Sequence, residues 1–220
     1  MGTSPDTGRV RPRLYLISPA VIDDLDAFES AFRDALAGGD IACFQLRLKG
    51  RPEAEIIAAT ERLMPIALAA NVAFLLNDHV PLARKLGVDG VHVGQEDMPY
   101  KEARALLGPD AIIGVTCKNS RHLAMTAGEA GADYVAFGAF YPSGTKADTT
   151  PADLDILTWW SETATVPSVA IGGITAANCE PLLRAGADFL AVGGGVWTDE
   201  KGPAHAVKAM NDVIDKVMAS

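Results

Sequence analysis

Four short segments share one pattern, and their spacing constrains the fold more than any other feature of the sequence. The segments are GGDIACFQ from residue 38, GVDGVHVG from residue 87, GADYVAFG from residue 131 and GADFLAVG from residue 186. Each runs Gly, any residue, Asp and then a short apolar stretch, and their starts lie 49, 44 and 55 residues apart. A spacing of this size is typical of two consecutive strand and helix units.

Four further apolar stretches occur, one before the first repeat and three between the repeats, and helical segments that often end at Gly connect the stretches. These stretches are RLYLIS at 13–18, VAFLLND at 72–78, AIIGVT at 111–116 and PSVAIGG at 167–173. Eight alternating units predict a single-domain (β/α)8 TIM barrel over residues 12–220, after a flexible segment 1–11. An open doubly wound sheet is the alternative. In the barrel, the Gly-x-Asp segments lie opposite the active-site face, where we interpret them as helix stops and tight turns.

Charge and cysteine content restrict the partners. The formal net charge of −9 argues against a nucleic acid or an anionic membrane as partner, because both need a basic face. The sequence contains neither an apolar run as long as a membrane span nor the apolar core of a signal peptide. Its 3 cysteines form no CxxC pair and indicate reduced thiols. We expect a cytoplasmic protein that acts on small molecules, in an oligomeric state that the sequence leaves open.

The second predicted strand, IACFQLRLKG at 41–50, carries polar residues at alternate positions. Gln45, Arg47 and Lys49 share one face, and the apolar residues between them share the other. A solvated sheet edge would also explain the alternation, but a closed barrel has no edge. We therefore expect the polar set to point into the barrel mouth, where Arg and Lys suit a diphosphate.

Two carboxylates follow neighbouring strands. The third strand ends in Asn77 and Asp78, and the fourth runs into GQEDMP, which contains Asp97. Carboxylates that leave room for water and phosphate oxygens are the ligands that Mg²⁺ accepts, so we predict that Asp78 and Asp97 bind it. Helix capping is the alternative for each carboxylate. His92 lacks the further ligands of a zinc site, and we expect it to be a hydrogen-bonded core residue or one that supports a neighbouring site residue.

Two glycine-rich strand ends and one polar loop indicate a second anion site. The loop after the sixth strand, at 138–151, has the sequence GAFYPSGTKADTTP and resembles a flap that closes on an anionic ligand. A plain surface loop is the alternative. Strands seven and eight end in Gly172-Gly173 and in Gly193-Gly194-Gly195. Barrels often bind a phosphate monoester at these two loops.

Six motifs occur in a fixed order and together resemble the thiamine-phosphate synthase family. They are QLRLK, ND at 77, GQEDMP, GVT at 114, YPSGTK and IGGI, within residues 14–196. The resemblance implies transfer of an aminopyrimidine from its diphosphate to a thiazole phosphate, carboxylated or not, with Mg²⁺ as cofactor and diphosphate released. It also implies a dissociative mechanism, in which a pyrimidine cation forms before the thiazole nitrogen captures it.

The resemblance assigns roles residue by residue. It implies that the pyrimidine diphosphate is held by Gln45, Arg47, Lys49, Asn77, Thr116 and Lys146. Among these, the catalytic residues would be Arg47, Lys49, Thr116 and Lys146. The thiazole phosphate would be bound by Ser143, Gly144, Thr145, Gly173, Gly193 and Gly194. Mg²⁺ would be bound by Asp78 and Asp97.

The sequence departs from the family pattern at three places. Thr116 replaces a smaller hydroxyl residue, Ser143 replaces Thr, and Gly193-Gly194 replaces Val-Ser or Ile-Ser. The last change removes one side-chain hydrogen bond to the phosphate, worth about 1–2 kcal/mol.

Two alternative functions remain open. A related thiazole tautomerase uses a histidine shortly after the GVT-type hydroxyl and typically lacks the GQxD carboxylate, whereas this sequence has Lys118 and Asp97. The other alternative is a non-catalytic paralogue that binds a phosphate ligand, which the altered glycine loop would suit.

Overall fold

Eight parallel strands close into a barrel in the computed structural model, which describes residues 9–142 and 151–220. Each strand pairs with its sequence neighbours, and β8 closes the barrel by pairing with β1. The strands are β1 Arg13–Ile17, β2 Ile41–Leu46, β3 Ala73–Asn77, β4 Gly90–Val93, β5 Ile112–Lys118, β6 Tyr134–Gly138, β7 Ser168–Ile171 and β8 Phe189–Val192. The predicted (β/α)8 barrel is confirmed.

Helices follow the strands around the barrel. Within the described residues they are α1 Leu25–Ala37, α2 Glu53–Ala69, α3 Val80–Leu86, α4 Tyr100–Leu107, α5 Arg121–Ala130, α6 Asp155–Thr163, α7 Glu180–Arg184, α8 Gly194–Trp197 and α9 Pro203–Met218. At least one helix follows every strand, as the predicted alternation of strands and helices requires. The short helix α8 is additional, and it begins in the glycine run that ends β8.

The second strand is shorter than predicted. It ends at Leu46 rather than at residue 50, so Arg47 and Lys49 lie just beyond it. The backbone explains the difference, since the Arg47 amide donates to the Ser18 side-chain hydroxyl at 2.8 Å instead of to a backbone carbonyl of β1. Arg47 and Lys49 still follow the carboxyl end of β2, at the mouth of the barrel.

Two apolar layers hold the barrel, and they follow from the two-residue period of the strands. Phe44, Phe74 and Leu46 point outward and are buried against the helices. Tyr15 and Leu75 belong to a smaller set that fills the barrel interior. Each fully buried large apolar side chain contributes on the order of 1.5–3 kcal/mol.

The Asp of the repeated pattern tethers the start of the preceding strand. In three repeats its Oδ2 accepts from a strand amide at 2.7–2.8 Å. In the same repeats the Asp amide donates back to the carbonyl of the same partner. The pairs are Asp89 with Phe74, Asp133 with Ile113 and Asp188 with Ser168. In the remaining repeat, which is the first along the chain, Asp40 pairs with the Arg13 guanidinium.

The glycine of the repeat acts as the predicted helix stop at two clear positions. Gly87 ends α3 with φ 66°, and Gly131 ends α5 with φ 97°. Both angles lie in the left-handed region that favours glycine. The repeated segments therefore form helix stops and turns at the barrel end opposite the carboxyl ends of the strands, as expected.

The chain is bonded to the barrel from residue 9 onward. The Arg9 guanidinium donates to the carbonyls of Leu183 and Ala187, and Arg11 donates to Asp40 and Asp215. Residues 1–8 of the predicted flexible segment lie outside the described residues, and the domain boundary at residue 12 stays a prediction. Within the described ranges, no helix combines the length and apolar character needed to cross a bilayer.

Candidate active site

The carboxyl ends of β2 to β5 bring most of the predicted pyrimidine site together. Gln45 Nε2 donates to Asn77 Oδ1 at 2.8 Å, and this bond joins the ends of β2 and β3. Lys49 Nζ lies 3.7 Å from Asp78 Oδ2. Thr116, on β5, contacts His92 of β4 through its hydroxyl at 2.7 Å. Residues that are far apart in sequence thus meet at one end of the barrel, as the fold predicts.

The two predicted metal ligands face each other. Burial and then the neighbouring Asp97 carboxyl raise the pKa of Asp78, while the positive charges of Lys49 and Arg47 lower it. Two carboxylates in contact repel each other unless a proton or a cation lies between them. This arrangement fits a divalent cation.

The Asp97 carboxylate is held in place by its own loop. Its Oδ2 accepts from the Gly94 amide at 2.7 Å, and a Cβ at Gly94 would lie 2.8 Å from the same oxygen. In the part of the chain that the structure describes, no group of three or more His, Cys, Asp and Glu side chains is arranged to hold a metal. Mg²⁺ needs fewer protein ligands, since one or two carboxylates commonly suffice when phosphate and water complete the shell.

A buried chain of hydrogen bonds lies beneath these residues. The Tyr15 hydroxyl donates to Gln45 Oε1 at 3.2 Å and contacts the Tyr134 hydroxyl at 2.8 Å. The Tyr134 hydroxyl in turn contacts His92 Nδ1 at 2.9 Å. The expectation that His92 is a hydrogen-bonded core residue is confirmed. Among the described residues, every fully buried side-chain nitrogen and oxygen has a hydrogen-bond partner.

Sequence reasoning missed Tyr15, Tyr134 and Ser18. The signal for Tyr15 was its place in RLYLI, where it alternates with leucines and so occupies an inward position. Ser18 follows β1, and its hydroxyl accepts from the Arg47 amide. It therefore fixes the backbone of Arg47, a residue that is predicted to bind the diphosphate. Gln95 acts similarly on β5, since its Nε2 donates to the Thr116 carbonyl at 2.6 Å.

The predicted phosphate glycines lie at the ends of β7 and β8. Gly173 has φ 61°, and a Cβ there would lie 2.4 Å from the Pro142 carbonyl oxygen. Gly193 precedes α8 and Gly194 begins it. The first amides of a helix have no partner within it, so they are available to an anion. A cavity of about 420 Å³ opens beside α8 and is lined by Gly194, Gly195 and residues of α9.

Four predicted residues cannot be placed. Ser143, Gly144, Thr145 and Lys146 lie outside the described residues. The segment that leads to them is anchored, since the Tyr141 hydroxyl donates to the Asn178 carbonyl at 2.7 Å. The Tyr141 amide also donates to the Gly172 carbonyl at 3.1 Å. The chain therefore enters the predicted flap directly beside the glycines that end β7.

Comparison with known proteins decides the family. A family model described as thiamine monophosphate synthase matches residues 14–196. The chain belongs to the thiamine monophosphate synthase family. A thiamine-phosphate synthase of Rhodospirillum centenum is 59% identical over 202 residues, which cover 92% of this chain and 97% of the relative. A thiamine-phosphate synthase of Hyphomonas neptunium is 54% identical over 218 residues, covering 96% and 99% of the two chains.

A solved structure agrees with the family assignment. The thiamine phosphate pyrophosphorylase from Pyrococcus furiosus has a TM-score of 0.82 and 29% identity, covering 94% of this chain and 97% of its own. Membership of the thiamine monophosphate synthase family confirms the resemblance drawn from the six motifs. Four of those motifs, QLRLK, ND, GQEDMP and GVT, lie at the ends of β2 to β5.

Proposed function

We propose that the protein condenses 4-amino-2-methyl-5-(diphosphooxymethyl)pyrimidine with a thiazole phosphate and releases thiamine phosphate and diphosphate. The thiazole is 4-methyl-5-(2-phosphooxyethyl)thiazole or its carboxylate, and Mg²⁺ is the cofactor. The observation that carries the proposal is the pair of carboxylates, Asp78 and Asp97, beside the positive charges of Arg47 and Lys49. Supporting it, the chain is 59% identical over 202 residues to a thiamine-phosphate synthase.

In this proposal, positive charges hold the diphosphate at the ends of β2 to β5. Arg47 and Lys49 attract it, and Lys146 joins them from the flap. Asp78 and Asp97 hold Mg²⁺, which when bound supplies positive charge to the diphosphate as negative charge develops on it. Gln45 and Asn77 orient the pyrimidine end of the substrate.

With the uncarboxylated thiazole, the proposed reaction breaks one bond and forms one. With the carboxylate, the bond between the thiazole ring and its carboxylate also breaks and CO2 is released, because thiamine phosphate carries no carboxylate. The bond between the pyrimidine methylene carbon and the diphosphate oxygen breaks, and its electron pair leaves with diphosphate. The thiazole nitrogen then donates its lone pair to the carbon cation and forms the new carbon–nitrogen bond. That nitrogen carries no proton, so the step needs no general base. Arg47, Lys49 and Lys146 stabilise the leaving group, and Thr116 contacts it.

The thiazole phosphate takes the corner formed by β7 and β8. The backbone amides around Gly173, Gly193 and Gly194 donate to its oxygens, and we assign Ser143, Gly144 and Thr145 to the same phosphate. The support for this placement is the exposed start of α8 beside the left-handed turn at Gly173. A cytoplasmic location is consistent with Cys43, Cys117 and Cys179, which are buried and form no disulfide.

The deciding experiment incubates the protein with both half-substrates and Mg²⁺ and measures thiamine phosphate and diphosphate by liquid chromatography with mass spectrometry. We expect both products in equal amounts. A tautomerase would change the carboxylated thiazole alone, and a non-catalytic paralogue would be stabilised by its ligand without forming product. Either result would overturn the proposal.

Asp97→Ala tests the metal assignment. Removing one of two protein ligands should lower the Mg²⁺-dependent rate by at least about 100-fold, because charge on the leaving diphosphate is no longer neutralised. Initial rates across a range of Mg²⁺ concentrations measure this. Asp110→Ala is the matched control, since Asp110 is an exposed carboxylate next to the start of β5, at the opposite end of the strand from the site. An unchanged rate in Asp97→Ala would contradict the assignment.

A further inference from the structure

Six side chains from β1 to β6 form one continuous chain of hydrogen bonds through the barrel interior. In bonding order they are Asn77, Gln45, Tyr15, Tyr134, His92 and Thr116. The proposed function assigns Asn77, Gln45 and Thr116 to the substrate. It assigns nothing to the three residues that connect them.

The direction of each bond follows from the Gln45 carboxamide, whose oxygen faces Tyr15 and whose nitrogen faces Asn77, together with a count of protons. A phenol has one proton to donate, and Tyr15 donates its proton to Gln45 Oε1. The contact between the two phenols therefore uses the Tyr134 proton, and Tyr134 must accept from His92 Nδ1. Burial raises the pKa of both phenols well above the usual value, so both keep their protons at working pH. The hydrogen bonds thus run in one direction, from His92 to Gln45.

The chain of hydrogen bonds holds both polar atoms of the Gln45 carboxamide in this orientation. Its oxygen is occupied by the Tyr15 proton, and one of its two amide hydrogens is used by Asn77 Oδ1. Gln45 is left with one N–H, and Asn77 is left with its NH₂ group. Both groups are donors, so this part of the site is complementary to a ligand that presents acceptors.

We propose that Tyr15, Tyr134 and His92 are positioning residues that hold Gln45 with its free N–H toward a ring nitrogen of an N-heteroaromatic substrate. This inference rests on the proposed function and names what that site recognises. A pyrimidine ring nitrogen has a lone pair in the ring plane and accepts such a bond. A carbocyclic ring of the same shape would leave the amide hydrogen without a partner, which is costly when buried.

Two probes separate ring recognition from charge recognition. The alcohol 4-amino-5-hydroxymethyl-2-methylpyrimidine carries the ring without phosphate, and inorganic diphosphate with Mg²⁺ carries the charge without the ring. Tyr15→Phe removes the proton that holds Gln45 and lets the amide turn. We expect the Kd of the alcohol to rise about tenfold and that of diphosphate to change by less than about twofold. In turnover, KM for the pyrimidine diphosphate should rise more than kcat falls.

A second substitution tests whether Tyr134 acts on Gln45 through Tyr15. Tyr134→Phe leaves the bond from Tyr15 to Gln45 in place, so we expect a weaker effect on the alcohol than that of Tyr15→Phe. The double variant should bind the alcohol as Tyr15→Phe does, because Tyr134 acts through Tyr15. If the losses of affinity for the alcohol in the two single variants multiplied in the double variant, the result would contradict the proposal. Tyr100→Phe is the matched control, since its hydroxyl donates to the Gly131 carbonyl outside the barrel interior.

The wild-type protein supplies a test that no folding defect can obscure. Two analogues of the alcohol each have one ring nitrogen replaced by CH. One of them should bind at least about tenfold more weakly than the alcohol. Equal affinity for all three compounds would overturn the proposal, as would equal weakening of both probes in Tyr15→Phe. Wild-type protein that forms no thiamine phosphate and binds neither probe would instead overturn the proposed function.

Discussion

The three consecutive glycines at the end of β8 differ in the room that each leaves for a side chain. A Cβ at Gly195 would lie 2.2 Å from the Ile174 carbonyl oxygen, which belongs to the backbone and cannot move away cheaply. At Gly193 the nearest atom would be the Ile17 carbonyl oxygen at 3.5 Å, and at Gly194 nothing lies within 4 Å. Only Gly195 is therefore required by packing, since α8 approaches the loop after β7 at that point.

Gly195→Ala should destabilise the protein by about 1–3 kcal/mol, because its methyl group has no space without a backbone shift. Gly194→Ala is the matched control in the same helical turn and should change the free energy of unfolding by less than about 1 kcal/mol. Urea unfolding of both variants measures the difference. Equal stability would mean that α8 can move away from Ile174.

Gly194→Ser restores the hydroxyl that is usual in the family, at the position with open space. One hydrogen bond to the thiazole phosphate should lower its KM by up to about tenfold, with the free energy of unfolding little changed. Steady-state kinetics with the thiazole phosphate varied would show it. A raised KM in a stable variant would show instead that the phosphate needs the close backbone approach that glycine allows.

The repeated Gly-x-Asp segments are tethers between neighbouring elements as well as turns. Each of three aspartates exchanges two hydrogen bonds with the start of the preceding strand, one through its side chain and one through its amide. Asp188 has the largest set, because its Oδ2 also accepts from the Ser168 hydroxyl at 2.9 Å. The repeat thus fixes the register of β3, β5 and β7 at the face away from the site.

Asp188→Ala should lower the free energy of unfolding by about 2–3 kcal/mol, since it leaves the amide and hydroxyl of the fully buried Ser168 without this acceptor. Asp188→Asn keeps an acceptor oxygen and should recover part of the loss. Chemical denaturation of both variants tests this, with Asp110→Ala as the control for loss of an exposed carboxylate. Equal losses for Ala and Asn would show that the charge, rather than the acceptor, matters.

The sequence predicted the elements better than their contacts. Repeats, apolar periods and glycine stops placed all eight strands, because these signals are local. The predicted end of β2 was wrong, since it depends on the hydroxyl of Ser18, a residue that follows β1. The contact between Tyr15 and Tyr134 spans 119 positions and exists only once the barrel closes. The predicted site residues of β2 to β5 could be grouped beforehand only because parallel strands share one carboxyl end.

At the scale of the whole molecule, one ionic cluster joins the beginning and the end of the chain. Arg13 of β1 binds Asp40, which precedes β2, at 2.7 Å. Arg11 binds Asp40 at 3.0 Å and Asp215 of α9 at 2.8 Å. The cluster lies at the barrel end away from the site, so it is free to stabilise the fold without affecting substrate binding.

Asp40→Asn should lower the free energy of unfolding at neutral pH and remove part of the decrease in that free energy at acidic pH. The Arg13 hydrogen bond holds the pKa of Asp40 below its usual value, against the effect of burial. A lowered pKa in the folded state contributes stability that is fully present above the unfolded value, near pH 4, and is lost as pH falls through the folded value. The side chain is 39% exposed, so solvent screening limits the contribution to about 1 kcal/mol or less.

The measurement is urea unfolding of wild type and Asp40→Asn between pH 7 and pH 2. The difference in the free energy of unfolding should be constant from pH 7 down to about pH 5 and should shrink below about pH 4, as the wild-type carboxyl takes up its proton. Asp212→Asn is the control, since it removes an exposed pair with Lys208 within α9 that joins no distant parts of the chain. If the difference in the free energy of unfolding stayed constant down to pH 2, Asp40 would act through its shape and hydrogen bonds, and its charge would not contribute to stability.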